Sequence, residues 1–178
     1  MTASISDSYR DLNKSLHEDE KFGSRADAGG LAGNLPNALL RLINLDVCSS
    51  YLDYGCGKGN LVKEIERCLS SKLEVAGYDP SVEEFNKLPS KRYDFVTCLD
   101  VLEHIEPQHI TDTLKKLCDL TEEIAYIVID LQPAVKKLSN GRNAHIMLAP
   151  PEWWTSKIAE YYSYLVSFPI KHKEGFNQ

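Results

Sequence analysis

No stretch of this chain approaches the ~18 consecutive apolar residues that a membrane-crossing helix needs, so no membrane span is expected. The N-terminus, "MTASISDSYRDLNK", lacks the basic start and apolar core of a secretory signal. Cysteine is sparse. Cys48, Cys56, Cys68, Cys98 and Cys118 are odd in number, scattered, and form no CxxC pair, which argues against a disulfide framework and against a zinc cluster. Several lie in apolar stretches, where a thiol behaves as a small hydrophobe, and none has a histidine and an acid placed to make it a nucleophile. A reduced, cytoplasmic setting fits that usage. Positive charge is also short: 20 Lys and Arg stand against 26 Asp and Glu, for a formal net charge of −6. A surface built to coat nucleic acid is therefore not expected, and only a local basic patch would serve that purpose. The chain has no internal repeat and no low-complexity tract.

What remains is an ordinary globular composition, 43% hydrophobic and 26% charged over 178 residues, which is one domain by size. The first residues are polar and run to "ADAGG"; within them Tyr9, Leu12 and Leu16 recur at helical spacing. They predict a short helix, so that residues 1–45 form an N-terminal helical lid and residues 46–178 the core of a single domain. "LPNALLRLINL" reads as a helix with Pro36 near its first turn and Leu39, Leu40 and Ile43 on its apolar face.

Strand and helix patterns then alternate. "SSYLDYG" reads as a strand, and "GNLVKEIERCLSS" as an amphipathic helix carrying Leu61, Ile65 and Leu69. "LEVAGYD" and "YDFVTCLD" are two more strands, followed by "ITDTLKKLCDL" as a helix. "IAYIVIDL" is a fourth strand, apolar almost throughout, as suits a strand covered on both faces. "PEWWTSKIAEYY" is a helix entered through prolines, and "SYLVSFPI" a last strand. Alternating units of this length predict an α/β fold, Rossmann-like, with a doubly wound and mostly parallel sheet.

The stretch "YLDYGCGKGN" sets three glycines, Gly55, Gly57 and Gly59, directly after the first strand, where a helix begins. In an open α/β sheet, ligands bind outside the carboxyl ends of the strands, and glycine there lets a ligand approach the backbone. The spacing is not the GxxxxGK[ST] of a P-loop, and the dinucleotide pattern GxGxxG fails at Asn60. A GxGxG turn preceded by Asp53 suits a ligand with no pyrophosphate. Asp79, at the end of the second strand in "GYDPS", can accept hydrogen bonds from a pair of ribose hydroxyls.

The pattern "LDYGCGKG", together with "GYDPS" and with "CLDVLEHI" after the third strand, resembles the class I S-adenosylmethionine-dependent methyltransferases over about residues 50–131. That resemblance implies S-adenosylmethionine as cofactor and S-adenosylhomocysteine as product. It implies Asp53, Tyr54, Gly55, Cys56, Gly57, Gly59, Asp79, Pro80, Leu99, Asp100 and Val101 as cofactor-binding residues, with Leu102 on the adenine side. One departure stands out: only 13 residues separate Asp79 from Tyr93, where the family fits a helix and a further strand. A sheet shortened at its edge strands is expected, with Leu88 and Pro89 bordering the adenine.

Methyl transfer needs positioning and sometimes a base or a metal. His104, in "DVLEHIEP", is a candidate general base, since its ordinary pKa suits proton removal from a hydroxyl; His145 is the second catalytic candidate. The connection "LSNGRNAHIMLAPPEWW" offers Arg142, Asn143, Trp153 and Trp154 for substrate binding. The order Asp100, Glu103, His104, His145 and "EWW" also resembles small-RNA 2′-O-methyltransferases, which implies a divalent-metal set at those four residues as the alternative to no metal. From the N-terminal segment, Tyr9, His17 and Phe22 are candidates to line the pocket. The reading that follows is a methyltransferase acting on an oxygen, or secondarily a nitrogen, of a small polar acceptor. A nucleic-acid acceptor bound by Lys136, Lys137 and Arg142 with base stacking at Trp153, and a non-catalytic partner subunit, are its alternatives.

Overall fold

Four segments whose β-branched and aromatic residues alternate form the strands, and the helices between them carry apolar residues at intervals of three and four. The computed structural model describes residues 5–17, 41–43, 45, 47–69 and 73–163. Helix α1 spans Asp7–His17, strand β1 Ser50–Tyr54, helix α2 Asn60–Leu69 and strand β2 Glu74–Tyr78. Strand β3 spans Tyr93–Leu99, helix α3 Ile110–Leu120, strand β4 Thr121–Val128 and helix α4 Pro151–Ala159. Among the described residues the strands lie in the order β2-β1-β3-β4, and each neighbouring pair is parallel. The order turns outward from β1 in both directions, so the switch in strand order falls between β1 and β3.

Apolar side chains cover both faces of this sheet. On one face Tyr51, Phe95 and Leu99 pack with Leu61 and Ile65 of α2 and with Ile43. On the other, Leu52, Tyr54, Val96 and Cys98 pack with Leu114 and Leu117 of α3, with Trp154 and Ile158 of α4, and with Ile5, Tyr9 and Leu16 of the N-terminal segment. Each fully buried Leu or Ile contributes roughly 1.5–3 kcal/mol, so the two layers together outweigh any single polar contact. Helix α1 is held at its start as well: the Ser6 N–H donates to Glu106 Oε2 at 2.8 Å and the Ser6 hydroxyl to Oε1 at 3.0 Å.

One difference from the sequence expectation has a physical cause. Strand β4 begins at Thr121 rather than Ile124, because α3 runs into it without a loop and Thr121 pairs with Tyr93 across the sheet. Its first part exposes Glu122 and Glu123, and the rest is only half-buried. The interval after Asp79 holds one 3-10 turn, Glu83–Phe85, in line with the shortened sheet edge that its 13 residues led us to expect. The predicted strand "SYLVSFPI", apart from Ser163, lies outside the described residues, as do Phe22 and most of "LPNALLRLINL", of which residues 41–43 are helical. No helix is long and apolar enough to cross a membrane among the described residues.

Candidate functional site

Residues at the carboxyl ends of β1, β2 and β3 come together at the switch point. The glycine loop leaves β1 with three left-handed residues: Gly55 at φ 80°, Gly57 at 54° and Gly59 at 71°. It is tied to β2 by the N–H groups of Gly55 and Cys56, which both donate to the Tyr78 carbonyl, at 2.7 and 3.1 Å. Asp79 tightens the tie. Its Oδ2 accepts from the Gly57 N–H at 3.0 Å and its Oδ1 from the Ser81 N–H at 2.9 Å. Asp79 thus organises the loop, a duty its sequence position alone did not disclose.

Protein packing, and not only ligand approach, demands these glycines. A Cβ on Gly55 would lie 2.3 Å from Val101 Cγ2, and one on Gly59 would lie 2.4 Å from Phe85 Cζ. Phe85, on the 3-10 turn that replaces the missing strand, was not a sequence candidate. Its ring also closes on Gly77, where a Cβ would meet Cys56 Sγ at 2.9 Å. The loop thiol of Cys56 is buried, and burial pushes its pKa up. Its sulfur packs close to Gly77.

Asp53 is buried beside β3, where its Oδ1 accepts from the Thr97 hydroxyl at 2.8 Å. Leu99 ends β3, and Asp100 follows at φ 54°, a conformation that Asp tolerates better than most residues and that turns the chain sharply toward Val101. The switch-point crevice therefore carries two buried carboxylates, Asp53 and Asp79, at the ends of adjacent strands. A cationic ligand bearing vicinal hydroxyls, such as S-adenosylmethionine, fits that acceptor set.

Directly after Val101, a 3-10 turn over Leu102–His104 anchors a long connection from β4 to α4. Glu103 is fully buried. Its Oε1 accepts from the Asp130 N–H at 2.9 Å, and its own carbonyl accepts from the Met147 N–H at 3.0 Å. It therefore pins both ends of the connection. Oε2 has no hydrogen-bond partner among the described residues. Burial, reinforced by the charges of Asp100 and Asp130, raises the Glu103 pKa to about 8 against the pull of the Asp130 N–H.

His104 Nδ1 pairs with the Ala144 carbonyl at 2.8 Å, and His145 Nδ1 with the Gln132 carbonyl at 2.5 Å. A carbonyl only accepts, so each Nδ1 carries a proton, and in the neutral ring the lone pair falls to Nε2. The two rings meet edge to face, with centroids 4.7 Å apart. They line a cavity of about 270 Å³ together with Asp130, Gln132 and Lys136. One ligand atom from each of Glu103, His104 and His145 lies within 4.8 Å of the others, so these three could hold a metal ion; Asp100 is not in that cluster.

The predicted substrate residues separate. Asn143 spends its amide on the loop: Oδ1 accepts from the N–H groups of Ala134 and His145, each at 2.9 Å, and Nδ2 donates to the Ala134 carbonyl at 2.8 Å. It braces His145. Trp154 is 3% exposed and anchors α4 in the core, whereas Trp153, at 38%, presents its ring to the surface. Arg142 is exposed near the tip of the same connection. Lys137 pairs with Asn143 in an isolated antiparallel bridge. Tyr9 is buried in the core, with Arg142 and Glu106 as its charged neighbours, and Leu88 and Pro89 are half-buried.

A family model described as "Methyltransferase domain" matches residues 24–164. No curated protein matches the chain. A solved structure described as "DhpI-SAH complex structure" aligns with a TM-score of 0.55 at 19% identity, over 88% of this chain and 89% of its own. Another, described as "DhpI-SAM-HEP complex", aligns with a TM-score of 0.53 at 15% identity, over 88% of this chain and 90% of its own. At such identities the likeness is one of fold.

Proposed function

The chain belongs to the methyltransferase domain family, and from that premise we propose that it moves a methyl group from S-adenosylmethionine to an oxygen of a small polar acceptor. S-adenosylhomocysteine is the product. The observation that carries the acceptor half of this reading is the pair of histidines, each locked by a backbone carbonyl into the tautomer whose Nε2 can take a proton, side by side in one cavity wall.

Bound at the switch point, the cofactor supplies an electrophilic methyl group on a positively charged sulfur. The residues present would hold it in parts. Asp53 would meet its ammonium, Asp79 its ribose hydroxyls, and the loop from Tyr54 through Gly59 its amino-acid end. Pro80, Leu99, Asp100 and Val101 would flank the remainder. Val101 links the two halves, since it packs against Gly55 and stands three residues from His104. An acceptor hydroxyl in the cavity would give its proton to Nε2 of His104 or His145 as its oxygen becomes nucleophilic. The cavity of about 270 Å³ has room for a small acceptor.

Calorimetric titration with S-adenosylmethionine and S-adenosylhomocysteine tests the first half; 1:1 binding in the micromolar range is expected, and no binding overturns it. With an acceptor identified from a panel of polyols, phenols and amines, His104→Ala and His145→Ala test the second. A fall in kcat of roughly 10²–10⁴-fold is expected for whichever ring takes the proton. Full activity in both variants removes the base assignment, and methylation of amines alone would move the reading to nitrogen.

A second reading rests on the convergence of Glu103, His104 and His145 and on the unpartnered Oε2 of Glu103. Mixed oxygen and imidazole ligands would suit a divalent cation such as Mg²⁺ or Mn²⁺, which would polarise the acceptor in place of a histidine base. A nucleic-acid acceptor belongs to this reading. Titration of Mn²⁺ into EDTA-treated protein decides it: saturable binding that Glu103→Gln abolishes supports the metal, and no binding leaves the histidine base.

A further inference from the structure

Two residues outside that chemistry are wired to one within it. Asp53 and Thr97 face each other in the parallel pairing of β1 with β3, and the Thr97 hydroxyl bonds to Asp53 Oδ1 at 2.8 Å. Tyr51, on the same face of β1, brings its hydroxyl to 2.5 Å from Thr97 Oγ1. All three are buried: Tyr51 and Thr97 are 0% exposed and Asp53 4%. Polar atoms at such depth are costly unless partnered, and Phe and Val would fill the same space without that demand.

Chemistry gives the chain a direction. An ionised carboxylate only accepts, so the Thr97 proton points at Asp53 and the Thr97 oxygen accepts from Tyr51. Burial, and after it the charge of Asp53, hold the Tyr51 phenol in its protonated form, so it remains a donor. Hydrogen bonds in series polarise one another. The bond between Tyr51 and Thr97 therefore strengthens the one between Thr97 and Asp53.

We propose that Thr97 and Tyr51 are positioning residues, which fix the plane of the Asp53 carboxylate toward the cationic amino-acid end of the cofactor and set how tightly that end is gripped. This rests on the cofactor reading above. It adds that the grip is adjustable from inside the sheet, by residues that never touch the ligand.

The test compares two ligands by calorimetry. S-adenosylhomocysteine carries the ammonium; 5′-methylthioadenosine keeps the adenosine and sulfur but has no amino-acid end. Thr97→Val replaces the hydroxyl with a methyl of similar shape and should weaken S-adenosylhomocysteine about tenfold, as loss of a charge-assisted bond does, while leaving methylthioadenosine within about twofold. Tyr51→Phe should show a smaller loss of the same kind. The double variant should match Thr97→Val alone, since a chain broken at Thr97 cannot be broken again. Thr97→Ser should keep wild-type affinity, and where Thr97→Val fails to fold Tyr51→Phe decides: a selective loss of S-adenosylhomocysteine affinity supports the proposal, and no loss, or an equal loss for both ligands, overturns it. Equal weakening of both ligands, or unchanged S-adenosylhomocysteine affinity in a folded Thr97→Val, overturns the proposal. Methylthioadenosine binding by a wild type that gains nothing from the amino-acid end overturns it too but spares the nucleoside site. No binding of either ligand by the wild type sinks the cofactor reading itself.

Discussion

Gly55 is the residue on which two demands meet. Its φ of 80° is one that L side chains rarely adopt, and Val101 occupies the place of its missing Cβ. Gly55→Ala should therefore lower the melting temperature and weaken S-adenosylhomocysteine binding at once, with a stability loss of about 1–3 kcal/mol by thermal melting. The double variant Gly55→Ala/Val101→Ala separates the causes: recovery measures the steric part, and the residue measures the backbone part. Sequence reading finds the loop because three closely spaced glycines after a strand are a local signal. It finds Val101 but not its packing against Gly55, and it does not find Phe85 beneath Gly59, since those contacts join segments brought together only by the sheet. The same holds for the histidines. Their types were legible, but the carbonyls of Ala144 and Gln132 that select their tautomers belong to a connection whose path no local pattern records.

At the scale of elements, the start of the sheet is tied by one carboxylate. Asp94 Oδ2 accepts from the Ser49 N–H and hydroxyl, both at 2.8 Å, and from the Ser50 N–H at 3.1 Å, joining β3 to the entry of β1. The Ser49 N–H first, then its hydroxyl and the Ser50 groups, hold the Asp94 pKa below its ordinary 3.8. A lowered folded pKa means the unfolded chain binds more protons in that window, so this stabilisation is present above about pH 4 and is lost as pH falls through the folded value. Asp94→Asn should cost about 1–2 kcal/mol near neutral pH, and its melting curve should converge on the wild type in acid. On the other side of the sheet, Asn143→Ala should loosen the connection before α4. Faster amide exchange at Ala134 and His145, with the strands unchanged, is the expected signature. Helices α2, α3 and α4 and the first three strands were legible because alternation of period two and near four is strong there. The start of β4 was not, because the glutamates at its head are poor strand formers that pairing with β3 overrides.

For the molecule as a whole, the two apolar layers sort the thiols. Cys48, Cys56 and Cys98 are buried, Cys118 is half-buried, and Cys68 is exposed on α2. Iodoacetamide under native conditions should modify Cys68 first, with Cys56 and Cys98 following only at the rate of global unfolding, as mass spectrometry of digests would show. The layers also explain why so compressed a chain can support a reaction site: α1, α3 and α4 all brace the face from which the connection departs. That connection is fastened at Glu103, His104 and Asn143, yet two of its cavity-lining residues, Pro133 and Val135, lie exposed. Inheritance can therefore act on the two groups at different speeds. On the acceptor reading proposed above, changes at Pro133 and Val135 would alter what the cavity admits while the fasteners stay in place, so acceptor preference could drift across generations without a passage through unfolded intermediates. A library randomised at those two positions would sample new acceptors from a scaffold that still stands.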